Sequence, residues 1–205
     1  MEQRKNVNKL IAILLLGIGG TGKSTIATHL IKILKRRRKK ILLIRFDELR
    51  KELTPSGEDP FSKDPRVKSL IYDKALQKFS DYLRQGYSLI IDSGLSVERI
   101  RKKLKICIPQ MKICHVYCPL VVAILRDTKR SMLHKEHERG NYLHLRALFD
   151  LVNPLKKEKF PQPGITYKFE YPECADIHIN TFLKSPRKAA EEIIEKLEIF
   201  KKSSM

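Results

Sequence analysis

Gly17-Ile18-Gly19-Gly20-Thr21-Gly22-Lys23-Ser24 is the stretch of sequence that decides the fold. It matches the phosphate-binding loop pattern G-x-x-x-x-G-K-[ST] at every fixed position. Glycines in such a loop let backbone N–H groups turn toward phosphate oxygens, because no Cβ stands in the way. The pattern makes Lys23 a catalytic residue that reaches the β- and γ-phosphates, and Ser24 a Mg²⁺ ligand. We therefore predict ATP and Mg²⁺ as cofactors, although the loop does not distinguish ATP from GTP.

The sequence on either side of the loop supports this interpretation. The apolar block Leu10–Leu16 is predicted to be a buried strand, and Thr25–Lys35 has apolar residues at helical spacing. The helix N-terminus would add free N–H groups and partial positive charge. The alternative is a glycine-rich turn with a chance lysine, which the flanking strand and helix disfavour. The residues predicted to bind the nucleotide are Gly17, Gly19, Gly20, Thr21, Gly22, Lys23, Ser24 and Thr25.

Predicted strands and helices alternate along the rest of the chain. Further strands are predicted over Ile41–Arg45, Tyr87–Asp92, Met111–Cys118 and Asp176–Asn180. Helices are predicted over Val67–Leu83, Val97–Leu104 and Ser185–Phe200, with another beginning at Leu120–Arg126. Residues 127–171 are polar and basic and are predicted to be lid and loop. This alternation predicts an α/β fold of the P-loop NTPase type: one domain over residues 1–205, with a parallel sheet, helices on both faces and a basic lid.

Ligands of such a sheet bind at the carboxyl ends of its strands, which points to two carboxylates and a group of cations. Asp47 follows the second strand and can accept the proton of an attacking hydroxyl or hold a metal-bound water; the alternative is a helix N-cap. Asp92 ends a strand, where a Walker-B-like aspartate would contact the Mg²⁺ shell; a cap is again the alternative. Arg126, Lys129 and Arg130 can close over the phosphoryl group, unless the lid is charged without catalytic duty.

Composition limits the classes of protein to consider. The chain has 205 residues, of which 42% are hydrophobic, so one domain with a real core is expected. No apolar run approaches the roughly 18 residues of a membrane span. Basic residues followed by Leu10–Leu16 imitate a signal peptide, but cleavage there would destroy the phosphate loop. We therefore expect a cytoplasmic protein that does not bind membranes.

The cysteines, the histidines and the net charge each leave alternatives open. The 4 cysteines are expected to be reduced thiols rather than metal ligands. His134, His137 and His144 could ligate a metal, but solvated lid residues are favoured. The net charge of +19 can attract nucleic acid or small anions. Much of it lies in Lys35–Lys40, where cations at the end of a helix complement its dipole; a nucleic-acid patch is possible but less favoured.

Segments spread over most of the chain follow the pattern of one family, in order and at nearly the same spacing. They are Gly17–Thr25, Phe46–Arg50, Phe61–Arg66, Ser93–Arg99, Cys118–Lys129 and Gly164–Ile177. After the phosphate loop, the family patterns are G-D-x-x-R, F-S-x-x-x-R, S-x-I-S-P-Y-R, C-P-L-E-V-x-x-x-R-D-P-K and G-I-x-x-P-Y-E-x-P-x-x-x-D-I. With these segments the chain resembles the adenylylsulfate kinase family. Its members phosphorylate the 3′-hydroxyl of adenosine 5′-phosphosulfate to give 3′-phosphoadenosine 5′-phosphosulfate.

The resemblance implies roles for individual residues. Asp47 would be the acceptor-side carboxylate, and Arg50 would contact the adenylylsulfate. Phe61 would stack on the acceptor adenine, and Arg66 would bind the acceptor's anionic group. The remaining implied contacts are Ser96 to the substrate and Arg126 and Lys129 over ATP. The family's tendency to dimerise implies a homodimer, which the sequence itself does not fix.

The departures from the family pattern lie mainly on the acceptor side. The first aspartate of the family's D-G-D is Arg45, and the family asparagine after the acceptor arginine is Ser69. The proline and tyrosine of S-P-Y-R are Val97 and Glu98. We therefore expect retained phosphoryl transfer with a possible change of acceptor. Three alternatives stay open: a kinase of another small hydroxyl, a kinase of an RNA- or tRNA-linked hydroxyl, and a nucleotide-binding regulator without catalysis.

Overall fold

The computed structural model describes residues 10–36, 40–62, 64–133, 143–152, 162–166 and 168–202. The strands are β1 (Ala12–Leu16), β2 (Ile41–Arg45), β3 (Ser88–Ser93), β4 (Met111–Tyr117) and β5 (Ile177–Asn180). The helices are α1 (Lys23–Lys35), α2 (Phe46–Leu53), α3 (Pro65–Arg84), α4 (Glu98–Cys107), α5 (Leu120–Leu133), α6 (Leu143–Val152) and α7 (Pro186–Lys202). The predicted α/β class is confirmed.

The strands form a parallel sheet in the order β2-β3-β1-β4-β5. The strand that precedes the phosphate loop, β1, is therefore central. Leu16 at its end lies opposite Ser93 of β3 and His115 of β4. Parallel pairing brings the carboxyl ends of all these strands to one edge, where the phosphate loop begins.

Each face of the sheet is buried by its own set of helices. Successive side chains of a strand point to opposite faces, and β1 is apolar on both, as a central parallel strand requires. Ile13 and Leu15 pack in one core with α1 and α7. Leu14 and Leu16 pack in the other core with α2, α3 and α4. The predicted helices on both faces of the sheet are confirmed.

Helix termini follow their local sequence. The Asp64 side chain caps α3 by accepting from the backbone N–H of Arg66 at 2.8 Å, and Pro65 begins the helix. The Ser185 hydroxyl oxygen accepts from the backbone N–H of Lys188 at 3.3 Å, which confirms the predicted start of α7. Helix α2 begins at Phe46, directly after β2. Asp47 is therefore in the first turn, and its alternative reading as an N-cap is wrong.

The prediction of a loop over residues 127–171 is wrong over two stretches, whereas the lid stays a prediction. Helix α5 continues to Leu133, and residues 143–152 form α6. The buried stripe of α5 is Ala123, Asp127 and Ser131, so its spacing is helical but two of its three members are polar. The sequence therefore predicts the beginning of α5, but hydrophobic periodicity does not detect its continuation past Arg126. No helix of the described part of the chain is long and apolar enough to cross a bilayer.

Candidate active site

The phosphate loop is shaped by backbone contacts that exclude side chains. A Cβ added at Gly17 would lie 2.1 Å from the carbonyl oxygen of Val116, and one at Gly20 would lie 2.1 Å from that of Ala123. Gly20 also has a φ of 76°, in the left-handed region. These glycines are required because the loop packs directly against the backbones of β4 and α5.

The loop leads into a helix N-terminus that is free of acidic side chains. Helix α1 begins at Lys23, and its first turn contains no acidic residue. The Lys23 Nζ donates to the carbonyl oxygen of Ile18 at 2.8 Å, and the Thr21 hydroxyl donates to the same oxygen at 2.9 Å. Ser24 and Thr25 are exposed at the start of α1. The predicted nucleotide residues thus surround the positive end of a helix dipole.

Hydrogen bonds through Thr181 connect the phosphate loop to Arg126 on α5. The Thr181 hydroxyl donates to the carbonyl oxygen of Thr21 at 2.9 Å. Arg126 donates to the Thr181 hydroxyl at 3.1 Å and to its carbonyl oxygen at 2.8 Å. Sequence reasoning missed Thr181, although its place after the last strand is a signal. Lys129 is exposed on α5, and no described contact joins it to the loop.

Asp127 and His144 form a buried pair beside the loop. Their side chains are 3% and 2% exposed, and the His144 Nδ1 lies 2.7 Å from the Asp127 Oδ2. Arg130 pairs with the other carboxylate oxygen. Although burial opposes ionisation, the hydrogen bond from His144 and the charges of His144 and Arg130 lower the pKa of Asp127 to about 2. The prediction of a solvated His144 is wrong, while His134 and His137 lie outside the described residues.

Asp92, which is predicted to contact the metal, and its neighbour Arg45 lie on the α1 face of the sheet. Ile90 of β3 packs with α1, so strand alternation places Asp92 on the same face. Arg45 is the register partner of Asp92 on β2 and pairs with Glu48 at 3.5 Å. Asp92 lies within β3, so its alternative reading as a helix cap is wrong.

The donor chemistry of this region fits Mg²⁺. No group of three or more His, Cys, Asp or Glu side chains able to hold a metal occurs among the described residues. Mg²⁺ in nucleotide sites uses one or two protein oxygens together with phosphates and waters, rather than an all-protein cage. The Ser24 hydroxyl and the Asp92 carboxylate are oxygens of that kind.

Arg50 and Phe61, two of the residues predicted to bind the acceptor, lie in contact with each other. The Arg50 guanidinium carbon lies 5.3 to 5.9 Å from the ring centroids of Phe46, Phe61 and Tyr72. Arg50 also donates to the Tyr72 hydroxyl at 3.2 Å. An aromatic and cationic surface therefore lies at the carboxyl edge, next to the exposed Asp47.

The remaining predicted acceptor residues are placed differently. Arg66 is 92% exposed and pairs with Asp64 at 3.0 Å. Ser96 is half-buried, and its carbonyl oxygen accepts from the backbone N–H of Glu170 at 3.2 Å. Neither side chain has a described contact with Arg50, so the structure does not gather all predicted acceptor residues at one point.

A cavity of about 490 Å³ lies between α3, α4 and the ends of β1 and β3. Its walls are largely apolar and include Phe46, Tyr72 and Leu95. Polar and charged side chains also line it, namely Ser69, Ser93, Lys68, Asp73, Arg99 and Lys103, and Asp73 pairs with Lys103 at 2.6 Å. Apolar walls with a few placed polar groups are typical of a small-molecule site. Asp73 offsets the charge of Lys103, so Lys68 and Arg99 are the cations of the lining that favour an anionic ligand.

Glu98, one of the departures from the family pattern, serves the fold. Its carboxylate pairs with the Arg101 Nε at 2.6 Å, and Arg101 is fully buried. Arg101 also donates to the carbonyl oxygens of Leu95 and Glu170, each at 2.8 Å. Burial raises the pKa of Glu98, but hydrogen bonds from Arg101 and Cys174 outweigh it and leave that pKa lowered. Sequence reasoning missed this pair, whose i,i+3 spacing was the available signal.

A second buried histidine lies at the carboxyl edge. His115 stacks on Tyr117 and Phe169, with ring centroids 5.2 and 5.9 Å apart. Burial and the positive charges of His178, Arg101 and Lys23 lower the pKa of His115 to about 4. The ring is therefore neutral at pH 7, and the sequence carried no signal for this.

The chain is similar to known proteins over most of its length. A family model described as AAA domain matches residues 13–142. A protein named "Probable adenylyl-sulfate kinase" from Pyrococcus abyssi is 28% identical over 185 residues, covering 90% of this chain and 92% of that protein. An adenylyl-sulfate kinase from Deinococcus deserti is 22% identical over 198 residues, covering 96% of each.

A solved structure shows the same fold. The APS kinase of Mycobacterium tuberculosis, in complex with AMPPNP and APS, superposes with a TM-score of 0.70. It is 16% identical, and the match covers 92% of this chain and 98% of that one. The predicted P-loop fold is therefore confirmed by an experimental relative as well as by the sheet order.

Proposed function

This chain belongs to the AAA-domain family, and we propose that it transfers the γ-phosphoryl group of ATP to the 3′-hydroxyl of adenosine 5′-phosphosulfate. At the coarser level it is a P-loop small-molecule kinase, an ATP-dependent phosphotransferase. The observation that supports the proposal is that the phosphate loop and a cavity lie at the same edge of the sheet. The phosphate loop ends β1, and a cavity with apolar walls and cationic side chains lies beside it.

On the donor side, the loop amides and Lys23 bind the β- and γ-phosphates and neutralise the charge that develops during transfer. Mg²⁺, when bound, neutralises phosphate charge and orients the γ-phosphoryl group, and Ser24 and Asp92 are the residues that would hold it. Arg126 reaches the same region through Thr181. Lys129 would close over ATP from α5.

On the acceptor side, Asp47 orients the hydroxyl and accepts its proton. Phe61 and Arg50 supply a flat apolar and cationic surface on which an adenine can stack. Arg66 leaves its ion pair with Asp64 and binds the anionic group of the acceptor instead. The Ser96 hydroxyl donates a hydrogen bond to the acceptor. The single-domain organisation, the homodimer and the cytoplasmic location stay predictions.

The acceptor-side departures favour a second candidate, a kinase of another small anionic hydroxyl compound. Glu98 is engaged in an ion pair with buried Arg101, so it does not replace the family tyrosine as a substrate contact. Arg45 lies opposite Asp92, where the family has an aspartate. Arg45 adds a positive charge beside the proposed Mg²⁺ ligand Asp92, while the phosphate loop keeps every fixed position of its pattern. An RNA-linked hydroxyl remains the further alternative.

The experiment is a coupled ADP-release assay with Mg·ATP, with and without adenosine 5′-phosphosulfate. We expect acceptor-dependent ADP release that falls at least about 100-fold in Asp47→Ala, the usual range for loss of an acid–base residue. Asp81→Ala is the matched control, since Asp81 pairs with Arg84 on the surface of α3. Nucleotide binding without acceptor-dependent release would reject adenosine 5′-phosphosulfate. A panel of other phosphorylated or sulfated alcohols, and then RNA, would follow.

A further inference from the structure

His144 projects from α6 into the wall of the phosphate loop. A Cβ added at Gly19 would lie 2.6 Å from the His144 Cε1 and 3.2 Å from its Nε2, but 3.8 Å from its Nδ1. The Cε1–Nε2 edge of the ring therefore faces the loop. The opposite nitrogen, Nδ1, is held by the Asp127 carboxylate at 2.7 Å. This arrangement fixes both the position and the orientation of the imidazole.

The nitrogen that faces the loop has no hydrogen-bond partner within the described part of the chain. His144 is 2% exposed, so water does not compensate for the missing bond through the surface. Buried polar atoms are nearly always paired, and an unpaired one signals a ligand, a bound water or a catalytic role. Because Nδ1 already donates to Asp127, Nε2 is the atom available to a ligand.

Two neighbours define which part of a nucleotide lies at this point. Lys23, the residue that reaches the β- and γ-phosphates, bonds the carbonyl oxygen of Ile18, the residue before Gly19. The helix N-terminus, which holds the inner phosphates, begins after Gly22. His144 thus flanks the end of the loop that serves the outer phosphates.

We propose that His144 is a ligand of the terminal phosphate group of the nucleoside triphosphate, donating a hydrogen bond from Nε2, with Asp127 as its positioning residue. When the phosphate binds, the ring takes up one proton from solvent at Nε2, and its two N–H groups then donate to Asp127 and to a phosphate oxygen. The charged groups described around it are Asp127, Arg130 behind that carboxylate, and Lys23 on the loop side. This inference rests on the ATP-dependent part of the proposed function and not on the identity of the acceptor.

The test compares binding of Mg·AMPPNP and Mg·ADP by calorimetry, in the absence of any acceptor. In His144→Phe, which keeps a ring of similar size, we expect AMPPNP affinity to fall about 10-fold or more and ADP affinity to stay within about 2-fold. His29→Phe on α1 is the matched control and should bind both nucleotides like the parent protein. An equal loss for both nucleotides, or no loss for AMPPNP, overturns the proposal.

A second measurement uses the unmutated protein, so it does not depend on the variant folding. Long-range ¹H–¹⁵N correlation spectra report which histidine nitrogen carries a proton. We expect Mg·AMPPNP, but not Mg·ADP, to convert the His144 Nε2 signal to the protonated type. An unchanged Nε2 signal would overturn the proposal. Because no acceptor is present, failure of adenosine 5′-phosphosulfate as substrate leaves both measurements interpretable.

Discussion

At the scale of single residues, the phosphate loop requires glycines that have no Cβ. Gly20 lies where any Cβ would collide with the backbone of Ala123, and backbone cannot move aside as a flexible side chain can. The cost therefore has two parts, a left-handed φ and a steric overlap with α5. Only the first part can be inferred from the sequence pattern, because the collision depends on which helix packs behind the loop.

Gly20→Ala separates these two parts. We expect it to lower the free energy of unfolding by about 2 kcal/mol or more and to abolish nucleotide binding, since the loop and α5 must move apart. Gly57→Ala is the matched control, because Gly57 has a φ of 85° but no atom within 4 Å of an added Cβ. Urea unfolding and AMPPNP calorimetry measure both effects. Equal destabilisation in the two variants would show that backbone strain alone accounts for the loss.

His115 gives the protein a pH dependence of known sign. Its folded-state pKa of about 4 lies below the unfolded value of about 6.5, so the unfolded chain binds a proton first. This contribution to stability is complete above pH 6.5 and is lost as the pH falls toward 4. The low pKa of Asp127 acts in the same direction but at lower pH, since its contribution to stability is lost only as the pH falls from about 4 toward 2.

We expect the parent protein to lose about 1–2 kcal/mol more stability than His115→Phe between pH 7.5 and pH 5.0. Phenylalanine keeps the stacking on Phe169 and Tyr117 but cannot be protonated. Urea unfolding at the two pH values gives the difference. If both proteins lose the same stability over this interval, another group is responsible for the pH dependence.

At the scale of elements, the sequence predicted best where burial is apolar. The strands, α1, α3 and α7 have apolar residues at their proper period, and their bounds are predicted to within a few residues. The segment of α6 is largely apolar, and the helix was missed because the polar and basic sequence on both sides of it, with prolines after it, predicts a loop. On α5, Asp127 faces inward because His144 satisfies it, and a single sequence does not reveal such a partner 17 residues away. The buried His144 was missed for the same reason.

The joint between α4 and the segment that precedes β5 depends on one ion pair. Glu98 is 13% exposed and Arg101 is fully buried, so removing the carboxylate leaves a buried guanidinium with only carbonyl partners. Glu98→Ala is expected to cost about 3 kcal/mol. Glu173→Ala is the control, because Glu173 pairs with Lys102 at the surface and should matter little. Thermal and urea unfolding check both, and similar losses in the two variants would contradict a structural role for Glu98.

At the scale of the whole molecule, the topology explains why distant segments of the chain reach one edge of the sheet. The phosphate loop, Asp47, Asp92 and Thr181 each follow or end a strand, and parallel pairing brings those strand ends to one edge. The rule predicts that these residues are neighbours, and this is the part of the site that sequence reasoning could locate. It does not predict side-chain direction, so the outward position of Arg66 and the aromatic contacts of Arg50 required the structure.

The net charge of +19 is also a property of the whole molecule. It attracts every anion that approaches the carboxyl edge of the sheet. A field of this sign raises association rates of anionic substrates and weakens as salt screens it. We expect kcat/KM for ATP and for the acceptor to fall several-fold between about 50 and 300 mM salt, with kcat nearly constant, since the transferring groups are shielded within the site. Steady-state kinetics at several salt concentrations and one Mg²⁺ concentration measures both parameters. A neutral viscosity-raising additive is the control, because it slows diffusion without screening charge. A kcat/KM that is insensitive to salt, together with RNA binding that weakens steeply between the same two salt concentrations, would instead assign the charge to a nucleic-acid partner.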